Sequence, residues 1–209
     1  RKRRQLGRLR VQHSRSRWET KADRNLAVGL TEVRRIVGAL ALSNTIRDQA
    51  CHLFRQAQEE NLLLGRSIEA FAAAAVYATC RCNDLPIGMG EVGKSARVNR
   101  DRVDNAYTVM NRELGLPAAV QSPSQYIPQF ATELDVPDQI RRVAADLAKR
   151  ATVAGLHNGR NPAGLAAACL YEAAQPFERN LSQRALGECA DVSAMTIRNR
   201  WRELQNLDA

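Results

Sequence analysis

One stretch of this chain carries side chains of the types that touch nucleic-acid bases, at the spacing that would put them on one face. Residues 182–204 read Ser-Gln-Arg-Ala-Leu-Gly-Glu-Cys-Ala-Asp-Val-Ser-Ala-Met-Thr-Ile-Arg-Asn-Arg-Trp-Arg-Glu-Leu. On a helix Ile197, Trp201 and Leu204 make one apolar stripe. Ala194, Met195, Arg198, Asn199 and Arg202 then face away from it, with Thr196 and Arg200 nearby. Arginine and asparagine can bond base edges, and a methionine can lie against a thymine methyl. Ser193 is a helix-capping type, Val192 fills the space beneath the turn, and Asp191 tolerates a left-handed turn conformation. Leu186 and Gly187 supply an apolar residue and a tiny one where a second helix must cross closely. This is the spacing of a helix-turn-helix. The same residues also suit a plain helical corner with a solvated arginine face.

The frame recurs earlier in the chain, with Val92, Gly93, Val98, Val103 and Tyr107 as its apolar and small positions. Its exposed set is Arg97, Asn99, Arg100 and Arg102. The candidate nucleic-acid contacts are therefore Ser193, Met195, Thr196, Arg198, Asn199 and Arg202, joined by Arg97, Arg100 and Arg102.

Other chemistry has little support. The sequence has no nucleophile elbow or phosphate loop, and Gly88-Met89-Gly90 lacks the lysine and spacing of a phosphate cradle. It reads instead as the start of a short helix. The histidines His13, His52 and His157 are scattered, with no carboxylate at helical spacing. Five cysteines without a Cys-x-x-Cys pair argue against a metal site or a disulfide framework, and for a reducing intracellular compartment. An enzyme is not expected. No run of apolar residues is long enough to span a membrane. Because Arg1 is not a methionine, the chain is expected to be part of a longer one.

The elements that must hold these residues are written twice, 94 positions apart. Leu40 through Gln56 aligns without gaps on Leu134 through Arg150, and Gly65-Arg66 falls on Gly159-Arg160. Ala72-Ala73-Ala74 with Tyr77 falls on Ala166-Ala167-Ala168 with Tyr171, and Asn105 on Asn199. A period this long marks a duplicated domain, since solenoid units run about 20–50 residues. Helical periodicity dominates and strand signals are nearly absent. Leu26, Leu30, Val33, Val37 and Leu40 predict a first helix over about 22–41. Ser43 caps a second, with Ile46, Ala50, Leu53 and Ala57 buried. Ser67 caps a third, Ile68 to about Arg81, apolar on nearly every side and hence central. Pro162 begins its counterpart. The expected fold is all-α: two five-helix repeats, 22–117 and 123–209, joined through Pro117 to Pro123.

Charge is uneven. The net charge is +9, yet residues 1–25 hold ten basic side chains against two acids, and the remaining 184 hold 21 against 20. The basicity belongs to a segment over residues 1–21, which is either a solvated arm or a contact with something acidic.

Taken together, these motifs resemble archaeal transcription factor B, the relative of eukaryotic TFIIB. The likeness rests on Gly65-Arg66-Ser67-Ile68-Glu69 with its alanine-rich continuation, on Tyr126-Ile127-Pro128 before Phe130-Ala131, and on Thr196-Ile197-Arg198-Asn199-Arg200-Trp201. Arg24-Asn25-Leu26 and Arg8-Leu9-Arg10 are similar to that family's linker. The resemblance implies two cyclin-like repeats and a non-enzymatic initiation factor. It implies binding to TATA-binding protein on promoter DNA and recruitment of RNA polymerase. The second repeat would read the element upstream of the TATA box through Met195, Thr196 and Arg198, and the first would touch phosphates downstream. The linker, with Arg3, Arg4, Arg8 and Arg10, would enter the polymerase. The family's zinc ribbon is not in this segment, so no cofactor is expected here, and the expected location is the cytoplasm of an archaeal cell, as a monomer. The chain departs from the family at Pro86-Ile87-Gly88, Asn105 and Gln129, where contacts to DNA or to TATA-binding protein would be weakened or redistributed. The alternative is a cyclin-like interaction module that regulates an enzyme without touching DNA.

Overall fold

A computed structural model describes residues 20–96, 98–118 and 121–207. Among these residues the regular structure is entirely helical. Ten α-helices follow in order: α1 Lys21–Ala39, α2 Asn44–Glu59, α3 Ile68–Cys82, α4 Met89–Ala96, α5 Arg100–Leu114, α6 Ile127–Glu133, α7 Asp138–Val153, α8 Pro162–Ala174, α9 Gln183–Ala190 and α10 Ala194–Gln205. The tandem of two five-helix repeats is thus the observed fold. The helices obey the 94-residue period closely. α2 and α7 superpose in number at both ends, α4 and α9 do so as well, and α1 and α6 share their last position.

The chain ends of the helices explain why the register is so strict. Ala41 and Asp135 are both left-handed (φ 49° each), as are Asp84 and Glu178 (55° and 52°) and Asn61 and Gly155 (59° and 76°). Each closes a helix with paired bonds back into its last turn. Leu42 N–H reaches the Val37 carbonyl at 3.0 Å and Ala41 N–H the Gly38 carbonyl at 3.2 Å, and Val136 and Asp135 repeat this on Ala131 and Thr132. These bonds satisfy carbonyls that a helix end leaves open. An inserted residue would break them. Alanine is a poor choice at such a position, because its Cβ crowds the carbonyl in the left-handed region. Ala41→Gly should therefore stabilise the protein by about 0.5–1 kcal/mol. Urea denaturation followed by circular dichroism measures this, and an unchanged midpoint would count against the strain.

Two compact units divide the chain. The first holds the described residues up to Thr79 together with Val92–Leu116, and the second holds Cys80–Glu91 with the described residues from Pro117 onward. In the first, Thr20 and Asp23 form a reciprocal cap that starts α1. Ser43 accepts from Ile46 N–H to start α2. α1 and α2 interdigitate at Gly29, where a Cβ would strike the Phe54 ring. Phe54 is fully buried, and the core face of α2 therefore turns toward Phe54 and Cys51, leaving Leu53 half-buried. α3 runs through the core, with Ala72, Ala73, Ala74, Ala75 and Val76 wholly enclosed.

The second unit repeats the scheme. Asn161 caps α8 by accepting from Ala163 N–H, with Pro162 in the first turn. Residues Ala163 through Leu170 are all buried, and α8 packs against α7, α9 and α10. Even the aromatic contacts follow the period. Tyr77 meets Tyr107 edge-on with ring centroids 5.0 Å apart, and Tyr171 meets Trp201 the same way at 5.4 Å. Such T-shaped pairs suit the ring quadrupole. No described helix is long and apolar enough to cross a membrane.

Candidate nucleic-acid interface

The crossing of α9 and α10 is set by a glycine. A Cβ on Gly187 would lie 2.7 Å from the Val192 carbonyl oxygen, so the turn closes only over a bare Cα. Val192 N–H returns to the Gly187 carbonyl at 2.9 Å, and Asp191 between them is left-handed at φ 52°. Asp191 also lies over Gly90 of the same unit, where a Cβ would collide with its carboxylate. Val192 is half-buried against the core, and Ile197 and Leu204 lie fully within it. Trp201 is half-buried and donates its indole N–H to Glu172.

These anchors fix which side chains of α10 face outward. Met195 is 60% exposed. Arg198, Asn199 and Arg202 are exposed, and Arg198 and Arg202 make no ion pair among the described residues. Ser193 is exposed and accepts from Thr196 N–H at 3.1 Å. Thr196 is half-buried: its hydroxyl lies 2.9 Å from that of Ser193, and its methyl packs over Gly164 of α8. Ser193 and Thr196 thus build the start of the helix, while Met195, Arg198, Asn199 and Arg202 stand clear of it. Four of the six candidates are brought together on one outward face. Their flank carries a feature the sequence reading missed, a pairing of Glu203 with Arg160 and Arg200. Residues 43 apart leave no periodic trace that would have announced it.

In the first unit α5 starts at the Asn99 cap, whose side chain accepts from Asp101 N–H at 3.0 Å. Arg100 and Arg102 are exposed. Arg102 borders a groove of about 410 Å³ with Arg66, Ser67 and Asn105 on its rim. Arg97, and the linker candidates Arg3, Arg4, Arg8 and Arg10, lie outside the described residues. Of the departures from the resembled family, Asn105 is exposed in that groove and Ile87 is half-buried. Gln129 donates to Glu91 of its own unit at 3.5 Å.

The three most strongly shifted thiols among the described residues are not activated as nucleophiles. Burial pushes the Cys80 and Cys169 thiols up to about 12, and burial with a hydrogen bond to Glu133 pushes Cys189 up as well. Raised thiols stay protonated at neutral pH, which disfavours both nucleophilic attack and metal ligation. Among the described residues no group of side chains could hold a metal ion.

The described helices make two tandem cyclin-like repeats, each closed by a helix-turn-helix pair. The family described as Transcription factor TFIIB repeat matches the chain twice, over residues 22–113 and 117–207. The chain belongs to the TFIIB family of transcription factors. It is 49% identical over 198 residues to Transcription initiation factor IIB 5 of Halobacterium salinarum, covering 95% of this chain and 64% of that protein. It is 45% identical to Transcription initiation factor IIB 1 of the same organism, covering 98% of this chain and 71% of that protein. To Transcription initiation factor IIB of Archaeoglobus fulgidus it is 40% identical over 204 residues, covering 98% and 63%. The chain thus spans about two thirds of the length of these relatives.

Proposed function

We propose that this chain is the core of a general transcription initiation factor that joins TATA-binding protein on promoter DNA and brings RNA polymerase to it. The names of its relatives, each a transcription initiation factor IIB, support the general role. The observation that carries the DNA-reading part is the outward face of α10. Arg198 and Asn199 are free to bond base edges, and Met195 offers an apolar surface to a thymine methyl. In this reading α10 lies in the major groove upstream of the TATA box. Arg100 and Arg102, with Arg97, contact phosphates on the downstream side, and the basic segment with Arg3, Arg4, Arg8 and Arg10 meets the polymerase. No cofactor takes part in this segment, and the protein works inside an archaeal cell as a single copy.

The near-neutral charge of residues 26–209 fits a protein that joins DNA already bent by a partner. Binding to naked DNA should be weak, with a shallow dependence on salt, because few phosphates are neutralised. Gel shift tests the reading directly. A slower ternary band is expected with TATA-box DNA and TATA-binding protein together, and weak binding with DNA alone. Failure to form the ternary band would overturn it in favour of an interaction module that never touches DNA.

A further inference from the structure

The arginines of the second unit divide into two groups, and one carboxylate makes the division. Both Glu203 oxygens lie 2.6 Å from Nη1 of Arg160, which donates from the loop before α8. Nη1 of Arg200 donates to the same carboxylate at 2.8 Å. At 100° per residue, Glu203 sits beside Asn199 at the edge of the outward face of α10, with Arg200 beyond it toward the core. Arg160 remains 44% exposed and Glu203 31%, so the pair is a surface feature within reach of a ligand on α10. Arg198 and Arg202 stay outside this arrangement.

The first unit supplies an internal control. At the matching positions it has Arg66 for Arg160, Ala106 for Arg200 and Val109 for Glu203. There Arg66 turns back to the Leu62 carbonyl at 2.7 Å, and the groove bordered by Arg66 and Val109 stays open. The five-helix frame therefore forms with valine in place of the acid. Glu203 is not a requirement of the fold, and its role is to be sought in what it does to the two cations.

We propose that Glu203 is a specificity-determining residue: it holds Arg160 and Arg200 off the phosphate backbone, so that α10 engages DNA through its base-reading side chains. This inference rests on the reading of α10 as the DNA-contacting helix. Phosphate contacts raise affinity for every sequence alike, whereas base contacts discriminate. Each freed guanidinium that neutralises a phosphate steepens the salt dependence by about 0.9 in log–log slope. Tying up Arg160 at the rim, with Arg200 beneath it, lowers affinity for wrong sites more than for the right one.

The test compares wild type, Glu203→Gln and Asp146→Asn across a potassium chloride series, on a TATA-less duplex and on promoter DNA with TATA-binding protein. Asp146 pairs with Lys149 on the exposed side of α7, so its replacement changes net charge equally without touching the clamp. Glu203→Gln is expected to steepen the slope on the TATA-less duplex by about 1–2 and to raise affinity there several-fold, while the preference for promoter DNA falls. Adding Arg160→Ala should reverse part of both changes, and Asp146→Asn should leave both as they were. An unchanged slope in Glu203→Gln, or an equal steepening in Asp146→Asn, would overturn the clamp. Lack of a wild-type ternary complex would count against the reading of α10 instead, since the naked-duplex comparison does not depend on it.

Discussion

Gly187→Ala should lower folding stability by about 1 kcal/mol and abolish promoter discrimination, whereas Gly93→Ala, at the matching position of the other repeat, should raise stability by up to about 1 kcal/mol. Both glycines lie in the first helix of a helix-turn-helix, and alanine would favour the helix by about 1 kcal/mol at each. The difference is what the new Cβ meets. At Gly187 it lies 2.7 Å from the Val192 carbonyl, a backbone atom that cannot rotate away. At Gly93 the equivalent Val98 oxygen is 3.4 Å off, ordinary contact. Forcing an extra carbon into packed backbone costs about 1–3 kcal/mol and shifts what surrounds it, which at Gly187 exceeds the helix gain. The shift would open the bond from Val192 to Gly187 and swing the start of α10. Urea denaturation of the two variants, with binding measured in parallel, decides the matter. Equal stabilities would show that the crossing has more slack than the distances allow.

Arg198→Ala separates reading from folding. Arg198 is exposed and makes no ion pair among the described residues, so its loss should change stability by less than about 0.5 kcal/mol. If it bonds a base edge, the ternary complex should weaken by about 1–3 kcal/mol, roughly five- to 150-fold, on DNA carrying the preferred upstream element. On scrambled upstream DNA the variant and the wild type should bind alike. A uniform loss on every sequence would reassign Arg198 to a phosphate, and an unchanged preference would remove it from the reader.

Much of this was legible in the residues themselves. The repeat, the alanine-rich central helices and the capping serines follow from local periodicity and from side-chain chemistry that acts within a turn. Met195, Arg198, Asn199 and Arg202 were found because a stripe at Ile197, Trp201 and Leu204 fixes the opposite face of the same helix. What escaped notice depends on residues distant in sequence. Phe54 displaced Leu53 from the core because Gly29 leaves room for a ring, and only the packing of α1 on α2 shows that space. The left-handed positions at Ala41, Asp84 and Glu178 carry no glycine, so composition does not mark them; the bonds that close each helix hold them. Thr196, assigned to base reading by resemblance, is drawn to Ser193 and Gly164, a pairing set by how α8 meets α10.

The alanine-filled interiors of α3 and α8 have a consequence for how this protein can vary. Alanine has no rotamers to lose on burial, so these cores form at little entropic cost and hold few side-chain atoms that truncation could remove. Neighbouring helices sit close against backbone, and space for larger groups is scarce. Tolerance at Ala72–Ala75 and Ala166–Ala168 is consequently one-sided. Such a core is hard to empty and easy to overfill, and variation in these proteins is steered outward, to the faces that meet other molecules.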